Sequence, residues 1–258
     1  MKTQRFGLLA ASGSLLSASS LLAATPALAQ GPWALDANIG AVSNYIWRGV
    51  SQSGDSAAVQ GGLDASHESG FYAGTWASNV DFGPGGANYE LDLYLGYDFT
   101  LPDENASLGL NTIYYAYPDD GGNIDFWEIG ISGGYGVFSA GIQYTVWGDK
   151  DNEDTLFDQG DLYYGAALDF PLPQDFGFGI FGGYYDFNHD DVVVGVIEQS
   201  DGSVLERTKS ADYWHWGATV SKDAGQFGTF NFTYEQNGGR GEIYDDDPKF
   251  WVGWLKEF

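Results

Sequence analysis

Acidic residues at alternate positions are the side chains in this sequence with the clearest potential for chemistry. Between Tyr89 and Phe99, the acids Glu90, Asp92 and Asp98 would share one face of an extended strand, whereas a helix would scatter them. The same reasoning collects a larger candidate set: Asp36, Asp64, Glu90, Asp92, Asp98, Glu128 and Asp169. Carboxylates that line a water-filled pore with low-dielectric walls select cations, because the walls focus their field.

The same acids could instead hydrogen-bond across a narrow interior that aromatic side chains fill. Tyr72, Tyr94, Tyr163 and Trp251 fall on the predicted inward face and would serve this purpose. The lone base Arg48 also has two readings, because it could bridge to the carboxylates and shape a constriction or cap a loop at the rim. An open and a plugged interior are therefore both compatible with the sequence.

A histidine and a serine have the spacing of a nucleophilic pair but lack its setting. His67 and Ser69 would share one face of a strand, as activation of a serine by histidine requires. They lie in a short turn, however, and the sequence shows no third residue that would orient the imidazole. We read them as turn residues and predict no catalytic residue and no enzyme activity.

The acidic segments and the remaining histidines do not match known metal-binding patterns. The acidic segment 149–154 begins like a calcium loop, but its sixth position is Asp154 rather than glycine and its twelfth is Gly160 rather than glutamate. Asp245, Asp246 and Asp247 form a plain acidic run, and His189 and His215 show no ligand spacing. We predict no metal site and no cofactor, with weak divalent bridging from the loops to lipopolysaccharide phosphates as an alternative.

Alternation of residue type predicts the elements that would carry the acids. Apolar and polar residues alternate over about ten residues, which is typical of strands in a transmembrane barrel. Twelve segments show the pattern: 35–41, 59–66, 71–79, 89–99, 106–117, 125–135, 137–147, 161–170, 176–187, 211–221, 226–235 and 248–258. An even number of strands leaves both chain ends of an antiparallel barrel in the periplasm.

The connections between these segments alternate in length. Short turns at 67–70, 102–105, 134–136, 171–174 and 222–225 separate longer polar stretches at 48–57, 80–87, 118–124, 148–160, 188–210 and 236–247. This layout is typical of short periplasmic turns and long extracellular loops. The predicted fold class is all-β: a transmembrane antiparallel β-barrel of twelve strands.

The ends of the chain carry targeting features. Residues 1–29 have the form of a cleaved signal peptide, with Lys2 and Arg5 before an apolar stretch and small residues at the cleavage site, which leaves one barrel domain at 30–258. The last strand ends in Phe258 after aromatic and apolar residues at alternate positions. This pattern resembles the address that the barrel assembly machinery reads, although Lys256 replaces the usual aromatic residue. The predicted partners are this machinery, outer-membrane lipid and lipopolysaccharide.

Charge excludes one class of partner. The full sequence has 10 basic and 36 acidic residues, so removing Lys2 and Arg5 leaves 8 against 36 and a net charge of −28. Nucleic acid binding depends on neutralising phosphates with Lys and Arg, so no nucleic acid partner is expected. The absence of cysteine also excludes disulfides and thiol chemistry.

Three segments near the start of the predicted barrel resemble a known family. They run over 43–53 (SNYIWRGVSQS), 58–62 (AVQGG) and 70–81 (GFYAGTWASNVD). They are similar to the opening of the TorF-type family of conserved hypothetical proteobacterial proteins, which are described as porins. The resemblance implies an outer-membrane barrel and supplies no substrate and no functional residues.

These observations favour passive diffusion of small hydrophilic solutes through an acidic, cation-preferring lumen. The alternative is a closed barrel with a structural or surface-interaction role, in which the external loops, especially 188–210, are the working part.

Overall fold

The computed structural model describes residues 31–120, 124–148, 156–188, 191–198, 204–239 and 243–258. The predicted signal peptide, the segment 149–154 and His189 lie outside these residues. The strands are β1 (Trp33–Val42), β2 (Ile46–Trp47), β3 (Val50–Ser51), β4 (Ala58–His67), β5 (Phe71–Asn79), β6 (Tyr89–Asp98), β7 (Ala106–Ala116), β8 (Phe126–Tyr135), β9 (Phe138–Gly148), β10 (Leu162–Leu172), β11 (Phe176–Asp186), β12 (Asp191–Glu198), β13 (Val204–Ser210), β14 (Tyr213–Asp223), β15 (Thr229–Gly239) and β16 (Lys249–Glu257).

Twelve of these strands form one closed antiparallel barrel, which confirms the predicted fold class. Each strand pairs with its neighbour in the chain order of the barrel, and β1 closes the ring by pairing with β16, with Asn38 opposite Glu257. The strand ends differ most from the prediction at β15. This strand starts only at Thr229 because Gly225–Phe227 forms a short 3-10 helix.

Two small hairpins lie outside the barrel ladder, in stretches that the sequence analysis treated as loops. One pairs β2 with β3, and the other pairs β12 with β13. Neither shows the ten-residue alternation of a spanning strand. The β2–β3 hairpin is the one that matters for the interior of the barrel.

The two faces of the barrel strands differ as the alternation predicts. Outward side chains such as Leu95, Ile131 and Phe232 are large, apolar and exposed, and together they form a belt around the barrel. Polar side chains such as Glu90, Glu128 and Gln143 are buried inside. Among the described residues, no helix is long and apolar enough to cross a membrane. The exposed belt is the surface that lipid must cover.

The belt leads to a stability prediction on β4. Leu63 and Val59 both point outward and are 64% and 62% exposed, but Leu63 lies mid-strand whereas Val59 lies near the outer end. Leu63→Arg is expected to lower the free energy of unfolding by about 2–4 kcal/mol, and Val59→Arg by about 0–1 kcal/mol, because the cost of a charge depends on its depth in the bilayer. Urea unfolding in lipid vesicles measures both. Equal effects of the two substitutions would contradict a lipid-facing belt.

Candidate functional site

The β2–β3 hairpin folds into the outer half of the barrel and fills it. Tyr45, Ile46 and Trp47 are buried, with Ile46 wholly inaccessible to solvent. The Trp47 ring packs edge-on against Tyr115 and Phe126, with ring centroids 5.7 and 6.0 Å apart. These contacts bring the first external loop against side chains of the barrel wall, so the interior is not an open bore at this level.

The turn of this hairpin adopts an unusual backbone conformation. Arg48 and Gly49 have φ angles of +48° and +85°, and they join Trp47 to Val50 as a two-residue turn. Positive φ at both positions defines a type I′ turn, in which Asn, Asp or Gly is preferred. A non-glycine residue in this conformation costs roughly 1–2 kcal/mol. Contacts of the Arg48 side chain must therefore offset the cost.

Arg48 makes those contacts inside the lumen. Its Nη1 and Nη2 donate to Oε1 and Oε2 of Glu128 on β8 at 2.7 and 2.6 Å, and both side chains are only 1% exposed. The hydroxyls of Tyr115 and Tyr185 also donate to Glu128, each at 3.3 Å. The guanidinium carbon lies 4.2 Å from the ring centroid of Tyr163. Arg48 therefore bridges to a carboxylate inside the lumen and does not cap a loop at the rim.

The tip of the hairpin rests on the opposite wall. Asn237 Nδ2 donates to the Gly49 carbonyl at 2.7 Å, and a Cβ atom added to Gly49 would lie 2.4 Å from the Cβ of His215. His215 is a buried lumen residue whose Nε2 lies 2.7 Å from the Tyr163 hydroxyl and whose Nδ1 lies 3.3 Å from Glu235 Oε1. Only glycine fits between the hairpin and this wall.

Three of the predicted lumen acids surround the hairpin. Glu90, Asp92 and Glu128 are all buried in the outer half of the barrel. The Tyr117 hydroxyl donates to Glu90 Oε1 at 2.9 Å, and burial followed by the charge of Glu90 raises the pKa of Tyr117, just beyond β7, well above its ordinary value. Tyr117 therefore stays protonated and acts as a donor. Tyr163 and Trp251, two of the aromatic residues predicted to point inward, are also buried.

The other four predicted acids lie in the periplasmic half. Asp36, Asp98 and Asp169 are partly buried, and Asp64 is buried. Asp36 stands directly opposite Asp64 in the β1–β4 pair, an arrangement that is destabilising for like charges and that concentrates negative potential. Asp64 accepts hydrogen bonds from the Tyr94 hydroxyl and from Asn38 Nδ2.

Three acids on the inner side of the barrel wall were missing from the predicted set, and one of them, Asp161 just before β10, is buried. Glu235 on β15 is buried beside His215, although the alternation of Phe230, Phe232 and Tyr234 already assigned it to the polar face. Glu257 lies next to Asn38 in the β1–β16 pair and interacts electrostatically with Asp36 and Asp64. Its contribution depends on barrel closure, which alternation along one strand does not reveal.

The sequence of residues 26–245 matches a family described as "Bacterial protein of unknown function (Gcw_chp)". The chain belongs to this family. No curated protein matches the sequence.

Two solved structures share the fold of this Gcw_chp family member. The NanC porin is 13% identical, with 86% of this chain and 98% of that chain covered and a TM-score of 0.51. The KdgM porin in complex with disordered oligogalacturonate is 8% identical, with 87% and 98% covered and a TM-score of 0.53. Both are named as porins, and the apolar belt described above is the surface that a barrel of this fold presents to a membrane. The barrel is an outer-membrane protein.

The His67–Ser69 pair of the Gcw_chp barrel is part of a closed turn. Ser69 Oγ lies 2.7 Å from His67 Nδ1, which also accepts the backbone N–H of Ser69 at 3.1 Å. Ser69 is exposed and His67 is half-buried, and the imidazole is held by its own turn and by the Trp33 ring, 4.7 Å away between centroids. The geometry is that of a structural turn.

The acidic run at the outer rim is exposed and partly neutralised. Asp245, Asp246 and Asp247 bring carboxylate oxygens close together. Lys249 donates to Asp245 at 2.5 Å and to Asp55 at 3.0 Å, which lowers the pKa of Asp245 and ties the first loop to the start of β16. Lys249, held by Asp245, therefore braces the loop that carries the hairpin through Asp55.

Proposed function

We propose that this protein is a porin-type channel of the outer membrane for small hydrophilic solutes, with a preference for cations. The observation that carries the proposal is the charge of the lumen. The inner side of the barrel carries the seven predicted acids, Glu235 and Asp161, with Glu257 at the periplasmic end, against Arg48 as the base at the hairpin tip. A low-dielectric wall focuses such an excess of carboxylates into a field that attracts cations.

The β2–β3 hairpin is proposed to set the conductance of this channel. Solutes cannot cross the outer half while Trp47 and Arg48 occupy it, because their side chains contact wall residues on several sides. Conduction therefore requires that the hairpin leave the lumen or shift within it. The resemblance of the segment at 43–53 to TorF-type porins supports the same class of function and remains a prediction.

The negative charge of the lumen also bears on the charge of the solutes that we expect to pass. The KdgM porin was solved with oligogalacturonate, an anionic oligosaccharide. A passage lined by Asp36, Asp64 and Asp98 would repel such a molecule by like charge. We therefore propose neutral and cationic solutes as the cargo.

A closed barrel with functional external loops is the second candidate. The dense packing of the hairpin against the aromatic wall favours it, since Ile46, Tyr185 and Tyr213 are fully buried. The predicted partners, lipopolysaccharide and the assembly machinery, fit either candidate. For the latter, Phe258 donates its backbone N–H to the Ala37 carbonyl at 2.9 Å and completes the closing strand pair.

Planar-bilayer recordings under a KCl gradient separate the two candidates. The proteins to compare are the wild type and a variant in which residues 45–52 are replaced by a Gly-Ser segment of equal length. We expect rare openings in the wild type and sustained, cation-selective openings in the variant, because the outer half is then cleared.

Two controls define the outcome. Replacing Asp246 and Asp247 by Asn removes two surface charges without touching the lumen or the Lys249 bridge, so selectivity should not change, whereas Asp36→Asn with Asp64→Asn should reduce it. A folded hairpin variant that stays silent would leave the closed barrel as the better account. Anion-selective openings would overturn the cation preference.

A further inference from the structure

The guanidinium of Arg48 occupies a cage whose walls belong to the barrel. Glu128 lies on β8, Tyr163 on β10 and Tyr185 on β11, and all three are buried. Glu128 binds both terminal nitrogens of Arg48, while the guanidinium carbon lies 4.2 Å from the Tyr163 ring centroid and 5.3 Å from that of Tyr185. The strand ladder, and not the hairpin, holds these three side chains in place.

The cage has the shape and charge that a planar guanidinium requires. A carboxylate that accepts two parallel N–H bonds matches the fork of guanidinium and not the point charge of an ammonium group. Hydrogen bonds from Tyr115 and Tyr185 orient Glu128, so its oxygens are pre-positioned. The aromatic faces of Tyr163 and Tyr185 add cation–π attraction.

Arg48 reaches the cage from the hairpin and is not part of the cage walls. Its backbone is held at a φ of +48°, which works against the turn that presents it. The three cage residues on the barrel strands carry no base of their own, so departure of Arg48 would leave Glu128 as a buried, unpaired carboxylate. Such a group strongly favours another cation in the same place. The cage is thus able to exchange one guanidinium for another.

We propose that Glu128, Tyr163 and Tyr185 form a binding site for solutes that carry a guanidinium group, with Arg48 as its internal occupant. An incoming guanidinium displaces Arg48 and so frees the hairpin. This inference rests on the proposed channel function only for its consequence, since displacement would open the passage. Binding itself can be measured without conduction.

Arg48→Gly is the variant that empties the cage. Glycine suits the positive φ of the turn, so the hairpin keeps its backbone while the guanidinium is removed. The refolded variant in detergent micelles is titrated with methylguanidinium chloride, and the thermal unfolding midpoint and tryptophan fluorescence are followed, because Trp47 flanks the site. We expect Arg48→Gly to be less stable than wild type and to regain stability as methylguanidinium fills the cage.

Wild type should bind the probe at least about tenfold more weakly, because the site is already occupied. Methylammonium and sodium chloride at equal ionic strength are the ion controls and should restore less stability. Adding Glu128→Gln to the Arg48→Gly background should abolish the response. An equal response to sodium chloride, or an unchanged response after Glu128→Gln, would overturn the proposal.

A second measurement covers a variant that fails to fold. In the wild type, methylguanidinium should increase acrylamide quenching of tryptophan, because Trp47 leaves the lumen with the displaced hairpin, and methylammonium should not. Quenching that is the same with both ions would overturn displacement. Silent bilayers would count against the channel while leaving the cage intact, and absent binding would count against the cage alone, so the two failures are distinguishable.

Discussion

Replacing Glu128 by alanine is expected to lower the free energy of unfolding by about 3–5 kcal/mol, because it leaves a buried charge without its partner. The Arg48 side chain is 1% exposed and directs both terminal nitrogens to Glu128, so water cannot take over these bonds while the hairpin stays in place. The Tyr115 and Tyr185 hydroxyls lose an acceptor at the same time. Urea unfolding in lipid vesicles measures the loss.

The double substitution is the control for this prediction. With Arg48→Ala added, no uncompensated charge remains, so the double variant should be less destabilised than the sum of the two single variants. A coupling free energy near zero would mean that the ion pair does not hold the hairpin. We also expect Glu128→Ala to raise the open probability in bilayers, since the unpaired arginine is then driven towards water.

Gly49→Ala is expected to expel the hairpin by steric conflict. The new Cβ would lie 2.4 Å from the Cβ of His215, a side chain fixed on β14 between β11 and β15, so the hairpin and not the wall must move. We expect sustained openings like those of the variant that lacks the hairpin. Planar-bilayer recording measures the openings, and tryptophan quenching by acrylamide should rise as Trp47 becomes accessible.

Gly83→Ala is the matched control for the backbone part of this effect. Gly83 has a φ of +82°, close to the +85° of Gly49, but a Cβ at Gly83 meets nothing within 4 Å. Both substitutions therefore carry the same backbone strain, and only Gly49→Ala adds the clash. If folded Gly49→Ala protein stays as quiet as Gly83→Ala, the hairpin tip is not confined by His215.

The two substitutions act on one hairpin by different physics. Loss of Glu128 removes an electrostatic attraction, whereas a methyl group at Gly49 adds a repulsive contact. If both substitutions increase channel opening in bilayers, the hairpin is the element that controls conductance. Opening by Gly49→Ala alone would indicate that packing and not charge keeps the lumen closed.

The barrel could be predicted from the sequence because its cause is local. Successive side chains of a strand point to opposite faces, and lipid requires one face to be apolar, so the pattern is visible within about ten residues. The segment 89–99 shows this directly, since its alternation predicts both the strand Tyr89–Asp98 and the inward position of Glu90 and Asp92. The placement of Glu128 inside the barrel follows in the same way.

The sequence was compatible with an open interior and with a filled one. Only the tertiary structure shows that the β2–β3 hairpin lies inside the barrel. Strands β2 and β3 have two residues each, too few for a period, and Arg-Gly is not a usual type I′ turn. The partner of Arg48 is 80 residues away, and its cage draws on three strands, β8, β10 and β11, that lie within four neighbouring strands of the ring. Alternation reports only which face a residue takes. The hairpin depends on what lies across the bore, which exists only after β1 has paired with β16.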